Sequence, residues 1–300
     1  MAVAILGLDS LFGSLSGPLK TFIGLAYIIY NRLLSKGLSL LLTPPDLWMD
    51  GEGWTAVSTF ENSFVILASS LATVLWLIGY VTEMTDIKSQ VTLESEIKLF
   101  ARILLTDTFI VGAFSMVQEL FSIVDKLVGI SSPEEKKEMI GTLKKGYKLV
   151  PPQKFLEEVE ALSGVEAVLL TVVGIIFFLA MVVSGGIICY MVFMRFFNIL
   201  AAVPYAVLAN ATIAGNREIS RTAYGYWKNL IASILSAVTM MIGLKLSSML
   251  SSSGTLSLVA SADSGAAYVL AYMVQTLLIV LLTAGFIKKA DDLTHRWIGG

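Results

Sequence analysis

The sequence predicts an all-α protein, a polytopic transmembrane helical bundle, and three observations carry that prediction. Of the 300 residues, 56% are hydrophobic and 15% charged, with a mean hydropathy of +0.78, more apolar surface than one soluble core of this size needs. The apolar residues gather into windows of about 20, the length that crosses a ~30 Å hydrocarbon core. Between the windows lie short segments rich in Pro, Gly and charge. The formal net charge of -2 gives no general attraction for nucleic acid, so any such contact needs a local patch.

Residues 1–55 read as an N-terminal amphipathic or interfacial region. Their start lacks a basic segment and includes Asp9. It does not read as a cleavable signal peptide, and the N-terminus is expected to be retained. Leu19–Leu42 is apolar but broken by Asn31, Arg32, Ser35 and Lys36, which suits a helix at the interface or against the bundle. PPDLWMDGEGW, Pro44–Trp54, is a turn region suited to a membrane surface. Residues 56–125 hold the first two spans, about Asn62–Val81 and Phe100–Phe121. Residues 126–162 form a charged extramembrane loop, rich in lysine and glutamate and divided by Pro151-Pro152, that reads as one or two short surface helices.

Residues 163–290 form a C-terminal membrane core with three more spans, Val165–Met194, Leu230–Leu250 and Ala267–Ile287, and residues 291–300 form a cytoplasmic tail. Five clear spans result. Inside this core, 195–230 stands apart. Phe196–Ala214 carries Asn198, Pro204 and Asn210, is too polar to span comfortably, and is expected to be a re-entrant or interfacial helix. If it spanned, the Lys and Arg distribution would favour six spans with both ends cytoplasmic; if it lies flat, there are five, with the N-terminus outside. Both arrangements put Arg217–Lys228 and the tail in the cytoplasm and Ser251–Gly265 outside.

Catalytic and cofactor motifs are sparse. GTLKKGYK, Gly141–Lys148, has the glycine spacing of a phosphate loop, but Tyr147 occupies the lysine position and no strand precedes it. His295 is the sole histidine and Cys189 the sole thiol, so no zinc site on these ligands and no histidine-based triad is expected within one chain. No intrachain disulfide is possible. The sequon at Asn210 lies at membrane depth and reads as chance.

Polar residues within the apolar windows say more, because an intramembrane charge is costly unless paired or hydrated. Asp107, Gln118, Ser122 and Asp125 are spaced for one stripe of a single helix, a candidate conduit wall or helix contact whose plainer reading is a set of interfacial residues. Ser236, Gly243 and Ser247 share a small-residue face on the fourth span. Lys245 near its end is a candidate intramembrane charge that either snorkels or pairs with an acid such as Asp107. Gln275, Thr276 and Thr283 give the last span a modest polar side.

The order of features in RFFNILAAVPYAVLANATIAGNREISRTAYGYWKNL, Arg195–Leu230, carries a resemblance. A long span ends at Arg195, an amphipathic segment follows with Pro204 and Asn210, then a polar turn with Arg217 and Arg221, then a basic and aromatic entry, Tyr224, Tyr226, Trp227 and Lys228, to a span rich in small residues. This resembles the signature region of the TrbL-like polytopic membrane subunits of conjugative type IV secretion systems, particularly the small forms on mobile elements of Gram-positive bacteria. WTAVSTFENSFVILASSLATVLWLIGYVTEM and ESEIKLFARILLTDTFIVGAFSMVQELFSIV are similar, more loosely, to that family's first two spans, so the likeness covers roughly Gly53–Leu250.

The resemblance implies a five-span protein of the bacterial cytoplasmic (inner) membrane that is not an enzyme. It would assemble as a homo-oligomer and with other secretion components, including separate ATPases, to help pass DNA and protein substrates. No cofactor is implied beyond bound phospholipid. The basic and aromatic residues would form a collar contacting anionic lipid headgroups or a passing phosphate backbone. Two other classes fit the composition: a small-solute transporter or ion channel, which calls for paired central charges and broken helices, and a structural membrane scaffold without a conduit.

Overall fold

The computed structural model describes residues 18–41, 43–85, 93–127, 148–162, 164–252, 259 and 264–299. Residues 1–17, the stretch 128–147 with most of the glycine-spaced loop, and most of the Ser251–Gly265 connector lie outside the described residues. Among the described residues there are nine α-helices and no strand: α1 (Pro18–Leu41), α2 (Glu52–Ser58), α3 (Glu61–Thr85), α4 (Leu93–Val111), α5 (Ala113–Leu127), α6 (Gln153–Ala161), α7 (Gly164–Ala211), α8 (Arg217–Ser252) and α9 (Gly265–Gly299). Four of them, α3, α7, α8 and α9, are long and apolar enough to cross a membrane, and α4 with α5 makes a fifth if that bent pair is one span. Such a chain is a multi-pass helical membrane protein.

Two expectations change. The second span is not one straight helix: α4 and α5 meet at a 64° bend. The bend falls at Gly112, whose N–H still bonds Thr108 O and whose carbonyl still accepts from Met116 N. A Cβ there would stand 3.2 Å from Thr108 O, so glycine permits the turn without unravelling the ladder.

The third span does not stop at Met194. It runs on as one 48-residue helix with Pro204 inside it, ~72 Å at the usual rise and far longer than the hydrocarbon core. A separate re-entrant or interfacial helix over Phe196–Ala214 is therefore not formed. Buried Phe196, Ile199, Leu200, Val203, Ala206 and Val207 continue an apolar face at helical spacing, and packing along that face outweighs the polar residues on which the sequence reading turned.

The chain folds as two compact units: Met1–Leu41, Pro133–Phe193 and Val238–Ala290 form one, and Leu42–Ser132, Met194–Ala237 and Asp291–Gly300 the other. In the first, α1 lies parallel to the early part of α7. Phe22 meets Phe178 at 6.1 Å and Tyr27 meets Phe177 at 5.9 Å. Further along, Gly185 abuts Tyr30 and Leu33, and Gly37 abuts Cys189. The buried face of α1, with Ile23, Tyr27, Tyr30, Leu34 and Leu38, thus rests against the bundle. Its Asn31 pairs with Leu149 in both directions, donating to the carbonyl at 2.9 Å and accepting from the N–H at 3.0 Å, which holds the extended segment beside Lys148 in place. On α6, Phe155 packs on Tyr272 at 4.6 Å.

In the second unit, Ala68 and Ala72 of α3, Ile110, Phe114, Val117 and Phe121 of α4 and α5, Ile199, Val203 and Val207 of α7, and Leu230 and Ile234 of α8 share one core. Trp54 sets its edge against Phe114 and Phe121. The turn Pro45–Gly51 has three successive positive φ values, at Met49, Asp50 and Gly51, a run that only glycine adopts freely. Trp48, stacked 5.5 Å from Phe196, anchors it.

Close approach of α8 and α9 in the first unit depends on Gly243, where a Cβ would fall 2.1 Å from the Phe286 ring. Gly243→Ala is expected to destabilise the protein by roughly 1–3 kcal/mol, the usual cost of overpacking. Thermal unfolding in detergent should show a lowered midpoint, largely restored by adding Phe286→Ala.

Candidate functional site

The region that carries the family resemblance lies within the second unit, and its polar residues divide into two sets by direction. Along α8, Arg217, Arg221, Tyr224 and Lys228 follow at spacings of 4, 3 and 4, the spacing of one helical face. Arg217, Arg221 and Tyr224 are exposed, and the Lys228 ammonium lies 5.9 Å from the Tyr224 ring centre. Tyr226 and Trp227 sit on the opposite face with Ala223, Leu230 and Ile234 and point into the core. The collar expected from sequence is thus a narrower outward stripe, because helical geometry sends two of its aromatic residues inward.

Asn210 is 1% exposed and satisfies its amide across three helices. Its Nδ2 donates to Phe109 O of α4 at 2.7 Å, and its Oδ1 accepts from Trp227 Nε1 of α8 at 2.7 Å. Tyr226 donates its hydroxyl to Ala202 O at 2.7 Å, two residues before Pro204. Pro204 itself is buried, and its missing N–H leaves the Leu200 carbonyl without a helical donor. At the α7–α8 turn, Asn216 Oδ1 accepts from Ile219 N at 3.0 Å as an N-cap, and Arg102 of α4 donates to Gly215 O at 3.0 Å. Asn198, by contrast, is exposed.

Arg195 does not end a helix. It is 6% exposed and donates to Ser233 O at 3.2 Å and Ile234 O at 2.9 Å. Its Nη1 has no hydrogen-bond partner among the described residues, and Asp291 of α9 supplies an opposing charge. A buried guanidinium held by carbonyls and only distantly balanced is a costly group, so its loss or replacement should be felt in packing.

Ser233, His295 and Asp291 also converge here, an arrangement that the sequence reading excluded although a single histidine suffices for it. Ser233 Oγ lies 3.1 Å from His295 Nε2, and Asp291 Oδ1 lies 3.8 Å from that same nitrogen. A relay needs the carboxylate and the serine on different ring nitrogens, so this cluster ties α8 to the end of α9 and is not arranged for nucleophilic attack.

The proposed stripe of Asp107, Gln118, Ser122 and Asp125 is interrupted. Asp107 is on α4, the other three are on α5 beyond the Gly112 bend, and a single continuous helical stripe does not exist. Asp107, Gln118 and Ser122 are each exposed; the side chain of Asp125 lies outside the described residues. In the first unit Lys245 is exposed, and Ser247 pairs with Thr283. Thr276 lies 3.5 Å from the Tyr27 hydroxyl. Among the described residues no group of three or more His, Cys, Asp or Glu side chains converges as a metal site.

The ties made by Arg102 and by the Ser233–His295 pair were not singled out from sequence. Arg102 lies at the start of the span expected over Phe100–Phe121, and its acceptor, Gly215, is 113 residues away. Comparison with known proteins adds no relative: no family model, no curated protein and no solved structure matches this chain.

Replacing Asn210 with leucine removes the acceptor of the Trp227 N–H and a donor to the Phe109 carbonyl, both part-buried bonds, at a cost of roughly 1–3 kcal/mol in all. Asn210→Leu should therefore lower the thermal midpoint and shift the Trp227 emission. Asn210→Asp should be at least as damaging, because it keeps the acceptor but loses the donor and buries a charge.

Proposed function

We propose that this chain is a channel or scaffold subunit of a conjugative type IV secretion machine, embedded in the bacterial cytoplasmic membrane and assembled with copies of itself and with separately encoded ATPases. The reading comes from the resemblance over Arg195–Lys228. The single observation that supports it is that this segment folds as one interlocked device: Asn210, Tyr226 and Trp227 fix the rotation of α8, and that rotation turns Arg217, Arg221, Tyr224 and Lys228 outward together.

In this reading the outward stripe works at the cytoplasmic face. Two guanidinium groups and an ammonium beside an exposed ring attach to anionic lipid headgroups, and the same surface meets the phosphate backbone of a passing DNA strand. The Gly112 bend favours the scaffold emphasis over the conduit emphasis, because it divides the polar residues that would otherwise line one helix.

Deleting the reading frame in a donor cell and restoring it in trans tests the reading. Loss of transfer that is recovered on complementation supports it; undiminished transfer in a donor without a second copy overturns it and leaves a transporter or an unrelated scaffold. Arg217→Ala with Arg221→Ala is expected to lower transfer by about tenfold or more, as lost phosphate contacts would, with unchanged membrane insertion by fractionation. Unchanged transfer removes the stripe from the mechanism.

A further inference from the structure

The first unit has an open cavity of about 180 Å³ where α1, the late part of α8, α9 and the segment beside Lys148 meet. Its polar wall is Tyr30, Lys148, Ser247, Ser248, Ser251 and Thr283. Ser247 and Thr283 are paired with each other. Tyr30 is 2% exposed and contributes to the cavity wall.

Among the described residues of this unit, charge is segregated along its length. The described wall of the cavity includes no acidic residue, and Arg32 and Lys36 of α1 and Lys245 of α8 flank its lining in sequence and are exposed. The described acids lie towards the other end: Glu160 pairs with Lys20 at 3.4 Å, Glu158 accepts from Gly265 N at 2.8 Å, and Glu166 opens α7. On α9 the exposed run Leu270–Leu282 ends beside Thr283, and exposed Lys288 and Lys289 follow within two turns. Cations at the edge of such a run mark the level of lipid headgroups.

We propose that this cavity is a phosphate-binding site that seats the phosphate of an anionic phospholipid headgroup, or the same group free in solution, between the Lys148 ammonium and the Tyr30 and Ser251 hydroxyls. Lysine supplies the charge and the hydroxyls the donors that a tetrahedral anion accepts. The volume suits a headgroup fragment rather than a whole lipid. Exposed Ile242, Leu246 and Met249 of α8 provide an apolar surface nearby for the acyl chains. The site is independent of the secretion reading and stands or falls separately.

The test uses the full chain in detergent, washed of loosely held lipid, then exposed either to phosphatidylglycerol nanodiscs or to inorganic phosphate, with bound phosphorus and native mass read out. The wild type is expected to keep phosphatidylglycerol, and Lys148→Gln to bind it about tenfold more weakly, as loss of one charge-assisted bond predicts. Tyr30→Phe, which removes one oxygen and keeps the packing, should weaken it severalfold, whereas Lys20→Gln at the far end should not. Retention of inorganic phosphate alone, with the same variant pattern, identifies the free anion as the ligand. Equal bound phosphorus in the wild type and both cavity variants in both arms overturns the site.

Discussion

A buried asparagine that must satisfy both ends of its amide is the constraint on which the second unit depends. In an apolar interior an unpaired amide costs more than a made hydrogen bond returns, so Asn210 does not tolerate a helix sliding or rotating past it. Its donor fixes α7 to Phe109 of α4 and its acceptor fixes α7 to Trp227 of α8. Helices packed only by Ala68, Val203 and Ile234 would have several near-equivalent registers. The amide selects one.

Once the rotation of α8 is set, its outward chemistry follows from helical geometry. Residues 217, 221, 224 and 228 face away from the core because residues 223, 226, 227, 230 and 234 face into it. The N-cap at Asn216 and the Arg102 bond to Gly215 fix where the helix starts, which sets the height of the first arginine. Arg195 repeats the logic on the same pair of helices: its donors reach the carbonyls of Ser233 and Ile234, and the Ser233 hydroxyl reaches on to His295 of α9. Polar residues in the apolar segments thus serve mainly as ties, and the surface stripe is the part that α8 turns outward.

The helices were legible in the sequence because each apolar window carries its own signal. Glu61–Thr85 and Gly265–Gly299 contain the spans expected near Asn62–Val81 and Ala267–Ile287. What was not legible depends on partners distant in the chain. Pro204 and Asn210 look like breakers when only neighbours are counted, yet α7 continues past Pro204 to Ala211 with Asn210 in its last turn, since Asn210 finds Phe109 and the apolar face continues. The bend at Gly112 was hidden because glycine is common within spans and local sequence does not say which one turns. The cavity around Tyr30 draws its wall from four separated segments, so no window of sequence contains it.

A double-mutant cycle on Asn210→Ala and Trp227→Phe, read by equilibrium unfolding of the full chain in detergent, tests the central claim most directly. If the amide bond between these side chains sets the rotation of α8, the double variant loses less stability than the sum of the single losses, with a coupling of about 1 kcal/mol or more. Additive losses would contradict the account, since the two residues would then contribute independently and another interaction would have to orient α8.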